Sequence, residues 1–121
     1  MVDHVEASTS IDSARITRIR KREGHVVTFN REKITSAIYR AIAATGSRDR
    51  TLAESLSNRV VEILEEKYGD KDIPAVEDVQ DVVEKVLLEK GQAKVAKTYI
   101  IYRQKRAEIR REKQRVLEKE A

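Results

Sequence analysis

Two cationic clusters flank the start of a helical pattern. Arg20-Lys21-Arg22 precedes Glu23-Gly24, and Arg31 and Lys33 fall within Asn30-Arg31-Glu32-Lys33, where the helical periodicity begins. The first turn of a helix leaves backbone N–H groups unpaired and carries the positive end of the helix dipole, so acidic side chains are its usual occupants. Cations there leave the positive potential uncompensated, and an anion relieves it. A phosphate-bearing ligand, gripped by the strand cluster on one side and the helix start on the other, is the simplest account. Each residue also has a plain reading. Lys21-Arg22 serves equally as a hairpin edge charged against aggregation, Asn30 as an ordinary N-cap, and Lys33 as a surface side chain extended into water.

These residues need a hairpin and a helix to position them, and the sequence encodes both. From Arg15 the chain alternates through Ile16, Thr17 and Ile19, turns at Glu23-Gly24 and continues as His25-Val26-Val27-Thr28-Phe29, a hairpin pattern. Asn30 caps a first helix whose stripe Ile34, Ala37, Ile38, Ala41 and Ile42 stops at Thr45-Gly46. A second helix is expected from Asp49 to Tyr68-Gly69, with Leu52, Leu56, Val60, Ile63 and Leu64 inward. Lys71-Asp72-Ile73-Pro74 offers one more short strand. A third helix follows from about Val76, with Val79, Val82, Val83, Val86 and Leu87 as its stripe up to Lys90-Gly91. The fourth carries Val95, Ala96, Tyr99, Ile100 and Arg103. The fold class is therefore α+β, mainly α: a small β-hairpin, or a three-stranded sheet, capping a four-helix bundle. Residues 1–14 read as a flexible leader, 15–106 as the folded domain, and 107–121 as a polar helical extension.

Composition narrows the chemistry. At 121 residues, with 38% charged and 40% hydrophobic residues, the chain has the content of one small, mostly aliphatic core. With no Cys there is no disulfide, thiol nucleophile or thiolate zinc site, and His4 and His25 make a poor metal set. No apolar run reaches the ~18 residues needed to span a bilayer, so no membrane role is expected and a cytoplasmic location is. The net charge of +4 is segmental: −3 over residues 1–14, +7 over 15–50, −6 over 51–93 and +6 over 94–121. Alternating blocks suit elements packed around an anion-binding cleft. The phosphate loop GxxxxGK[ST] is absent, and Asp78, Asp81 and Glu84 read as an exposed acidic stripe without a catalytic partner. The expectation is a regulatory binding module, not an enzyme. The alternative is a basic helical nucleic-acid-binding protein, resembling a transcription regulator, with residues 94–121 as its arm. Four acids in that arm, the acidic middle block and the lack of an aromatic stacking platform argue against nucleic acid.

Ile19-Arg20-Lys21-Arg22-Glu23-Gly24 and Phe29-Asn30-Arg31-Glu32-Lys33-Ile34 resemble the opening of the ATP-cone, a nucleotide-binding regulatory domain found at the N-terminus of many ribonucleotide reductases. Val79-Gln80-Asp81-Val82-Val83-Glu84 resembles the family's third helix, and Ala96-Lys97-Thr98-Tyr99-Ile100-Ile101-Tyr102-Arg103 its closing helix, so the likeness covers about residues 15–106. Class II and anaerobic reductases are the most similar in type. The resemblance implies ATP or dATP as allosteric ligand, accompanied by Mg2+. It also implies a ribonucleotide reductase catalytic domain or subunit, or a second copy of the chain, as partner, with control of activity or oligomerisation as the output. Carried over by position, Ile19 and Ile34 contact the base, Lys21 and Arg22 the phosphates or ribose, and Asn30 and Lys33 the phosphates, with Gln80 and Arg103 as further candidates. Gln80 stands where certain members have histidine, and Val27 and Val76 where some have polar groups.

Overall fold

The computed structural model describes residues 16–69 and 72–120. The expected leader, residues 1–14, lies outside the described residues. Strands β1 (Arg18–Arg20) and β2 (Val26–Thr28) pair antiparallel, with Arg18 opposite Thr28, Ile19 opposite Val27 and Arg20 opposite Val26. In the connection the Lys21 N–H donates to the His25 carbonyl at 2.8 Å and the Gly24 N–H to the Lys21 carbonyl at 2.9 Å. Gly24 has φ +105°, a left-handed conformation that a Cβ would strain.

Of the further strand expected at Lys71–Pro74, Lys71 lies outside the described residues; among the described ones there is one parallel bridge, between Arg20 and Ala75, and the sheet is two-stranded. The Arg20 N–H donates to the Pro74 carbonyl at 3.0 Å. Proline has no N–H to return, so the ladder stops there.

Four helices follow: α1 (Arg31–Ala44), α2 (Arg50–Tyr68), α3 (Val76–Glu89) and α4 (Ala93–Glu120). Their starts carry hydrogen bonds of the expected kind. The Asn30 side chain accepts from the Glu32 N–H at 3.0 Å and that of Asp49 from the Leu52 N–H at 2.9 Å. At α3 the Ala75 N–H donates to the Asp78 carboxylate at 2.9 Å. The packed pairs are α1 with α2, α2 with α3, α3 with α4, and α1 with α4. Their shared core is aliphatic, built on Ile38, Ile42, Leu64, Val83, Val86 and Leu87, with Ile16 entering from ahead of the hairpin and Tyr99 from α4.

Helix α2 buries a wider face than expected: Leu52 and Ile63 also pack against the core. Ala53, Ser57 and Val61 are buried with Leu56, Val60 and Leu64, whereas Leu52 and Ile63 are only partly covered. Small side chains let α1 approach, and the contact includes a polar pair: the Thr35 hydroxyl donates to the Ser57 hydroxyl at 2.9 Å, both residues being buried. Thr35→Val is expected to destabilise the fold by about 1 kcal/mol by stranding Ser57, whereas Thr35→Val with Ser57→Ala should be close to neutral. A urea-unfolding double-mutant cycle checks this, and additive losses would mean the hydroxyls do not act as a pair.

After Tyr102 the polar run continues as helix to Glu120, leaving Ile109, Val116 and Leu117 exposed. No helix among the described residues is long and apolar enough to cross a membrane.

Candidate nucleotide-phosphate site

The hairpin, the first turns of α1, the start of α3 and Tyr99 of α4 enclose a cavity of about 230 Å³. Of the residues expected in a site, Ile19, Lys21, Arg22, Asn30, Lys33, Ile34 and Gln80 all line it. Buried side chains form its depth, among them Ile34, Val79, Val83 and Tyr99. Exposed Arg22, Asn30 and Lys33 form its rim. Each comes from a local feature of the fold. The turn after β1 delivers Lys21 and Arg22, the N-cap delivers Asn30, and Lys33 and Ile34 follow within the first turn of α1.

The rim cations differ in their commitments. Among the described residues neither Lys21 nor Lys33 has a carboxylate partner, so both ammonium groups remain open to a ligand. Arg22 is engaged across the cavity mouth, its Nε 2.8 Å from a Glu77 carboxylate oxygen and its Nη2 donating to Gln80 Oε1 at 3.2 Å. Arg31, expected to share the anion with Lys33, turns the other way and donates to Asn58 Oδ1 on α2 at 2.9 Å. Its Nε is buried without a partner among the described residues. Two positions apart on a helix, Arg31 and Lys33 face nearly opposite directions, and only one can serve the cavity.

Arg103 does not line the cavity. Its Nη1 donates to Asp81 at 2.9 Å and Glu84 at 2.6 Å, and its Nη2 to the Glu77 carbonyl at 3.5 Å, fastening α4 to α3. Burial lowers the pKa of this guanidinium, but the hydrogen bonds it donates to Glu84 and Asp81, and their charges, outweigh that and raise it. Two members of the acidic stripe of α3, Asp81 and Glu84, are thus the counter-charge of Arg103, while Asp78 caps the helix start.

Several lining residues were not read from the sequence as site residues: Val27, Phe29, Ala37, Val76, Val79, Val83 and Tyr99. Val27 and Val76 add apolar wall at two positions where polar groups would have offered hydrogen bonds. Tyr99 is 5% exposed, and burial above all pushes its phenol up to about 12, so it stays neutral at any physiological pH. Among the described residues no group of three His, Asp or Glu side chains is placed to hold a metal.

The site is an apolar recess with a cationic rim, set between a hairpin and a helix N-terminus. The chain belongs to the ATP-cone family: the ATP cone domain model matches residues 17–108. It is 44% identical over 104 residues to a vitamin B12-dependent ribonucleoside-diphosphate reductase of Thermoplasma acidophilum, covering 82% of this chain and 13% of the relative. Its likeness to the enzyme of the same name from Mycobacterium tuberculosis is 35% over 105 residues, covering 87% and 14%. For a ribonucleoside-diphosphate reductase subunit alpha of Chlamydia pneumoniae it is 38% over 109 residues, covering 84% and 10%. The chain thus spans about a seventh of the length of these relatives or less.

Proposed function

We propose that the chain is an allosteric module that binds ATP or dATP and controls the activity or assembly of a ribonucleotide reductase catalytic domain or subunit. The observation that carries this reading is the union, in one cavity, of an apolar recess with the uncommitted ammonium groups of Lys21 and Lys33. At about 230 Å³ the recess is smaller than ordinary small-molecule sites of about 300–1,000 Å³, so it suits a base, with sugar and phosphates toward the rim. Ile19 and Ile34 flank the base. Lys21, Arg22, Asn30 and Lys33 meet the phosphates, Mg2+ accompanies them as their counter-ion, and Gln80 serves the sugar side. Arg103 supports the site by holding α4 against α3.

Calorimetry with ATP, dATP, GTP and AMP tests the reading. Selective binding of adenine triphosphates supports it, and failure of every nucleotide to bind overturns it. The module binds without hydrolysing, so steady phosphate release that disappears in Lys33→Ala would contradict the regulatory assignment.

Control of assembly requires the ligand to favour one arrangement of the surface over another, and allosteric couplings of about 1–3 kcal/mol shift a weak dimer several-fold. Sedimentation at several protein concentrations is therefore expected to give different mass distributions without nucleotide, with ATP and with dATP. Identical distributions at saturation would move regulation to a separate catalytic partner.

A further inference from the structure

The structure places a carboxylate where the proposed ligand's charge must go. Glu77, in the first turn of α3, sits 2.8 Å from Arg22 Nε, and Arg22 is itself a lining residue of the cavity. Helix α4 passes the same end of α3, where Arg103 Nη2 donates to the Glu77 carbonyl at 3.5 Å, and carries a second guanidinium, that of Arg110, two turns further on. Along an otherwise exposed stretch, Arg103, Ala107 and Arg110 are each partly covered, a spacing of four and three that keeps α4 against the body of the domain as far as Arg110. Arg110 has no ion-pair partner among the described residues. Its pKa is lowered, first by burial and then by the charges of Arg22 and Arg106, against the pull of Glu77.

We propose that Arg22 and Arg110 form a subsite for the terminal phosphate of the bound nucleotide, and that Glu77 is the internal anion holding this seat until the phosphate displaces it. This rests on the nucleotide-binding reading above and adds to it a means of counting phosphates. Both partners of the Arg22–Glu77 pair are solvent-accessible, at 30% and 48% side-chain exposure, so the contact is weak and readily exchanged. A terminal phosphate carries more charge than a carboxylate and offers three acceptor oxygens to two guanidinium forks. Glu77 therefore acts as a positioning residue, keeping Arg22 over the mouth, and as a competitor that penalises ligands too short to replace it.

The test is calorimetry of the full chain with ATP, ADP and AMP, comparing the unsubstituted protein with Glu77→Gln and Arg110→Ala, with helical circular dichroism as a check on folding. Glu77→Gln, which removes the competing charge and keeps the shape, is expected to tighten ATP about threefold while leaving AMP unchanged. Arg110→Ala is expected to weaken ATP about five- to tenfold, again without effect on AMP. If the unsubstituted protein binds no nucleotide, the functional reading itself fails. If it binds ATP but either variant changes ATP and AMP by the same factor, or changes neither, the nucleotide site stands and the terminal-phosphate subsite is overturned.

Discussion

Replacing Lys33 by alanine is expected to weaken ATP binding by about 1.5–3 kcal/mol, roughly 10- to 150-fold, without weakening the unliganded fold. The magnitude is that of a charge-assisted hydrogen bond between an ammonium and a phosphate. The second half of the expectation follows from position. Lys33 lies in the first turn of α1, where the helix dipole disfavours a cation, and it has no carboxylate partner among the described residues. Its removal takes away a small electrostatic cost of about 0.3–1 kcal/mol, which favours the apo state. Calorimetry with ATP and thermal unfolding without it, on the same preparation, check both halves. Unchanged affinity with clearly lowered apo stability would make Lys33 a structural residue instead.

Ile38→Ala should do the opposite. Ile38 lies one turn after Ile34 on the buried stripe of α1, is 1% exposed, and does not line the cavity. Truncating such a side chain removes its burial and leaves a void, costing about 2–5 kcal/mol, a large share of the about 5–15 kcal/mol that holds a domain of this size together. The folded variant keeps its rim and recess, so it still binds ATP. Ligand at 100 times its dissociation constant then restores about 2.7 kcal/mol, because only the folded form binds. Urea unfolding with and without ATP measures both effects. A loss under 1 kcal/mol would show that the neighbouring helices close over the void.

The contrast between these residues parallels what could and could not be read from the chain. Helices α1 and α3 were legible because aliphatic residues recur at helical spacing, with the capping residue Asn30 at the start of α1 and Pro74 just ahead of α3. The inward face of α2 was legible only in part, because Ala53 and Ser57 are small and Ser57 is polar, so hydropathy assigns them to solvent although they are buried with Leu56, Val60 and Leu64. The third strand failed on one atom, the missing N–H of Pro74. In the cavity, the residues adjacent in sequence to the two cationic clusters were within reach of local reasoning. The walls contributed by Val76, Val79, Val83 and Tyr99 were not, since they depend on which faces of α3 and α4 turn toward the hairpin. Arg103 shows the same limit, because its charge was plain and its choice of Asp81 and Glu84 became visible only when α4 lay against α3.

Helix α4 runs without interruption from Ala93 to Glu120, and Tyr99, which forms part of the cavity wall, lies near its beginning. The 21 residues from Tyr99 to Glu120 span roughly 32 Å at the ordinary rise of an α-helix. The helix is therefore a lever with its short arm in the recess. A tilt of about 5° at Tyr99 carries the far end through roughly 3 Å, close to the width of a side-chain contact. A tilt too small to repack the core would thus be large where the helix ends, and the exposed Val116 and Leu117 sit near that end.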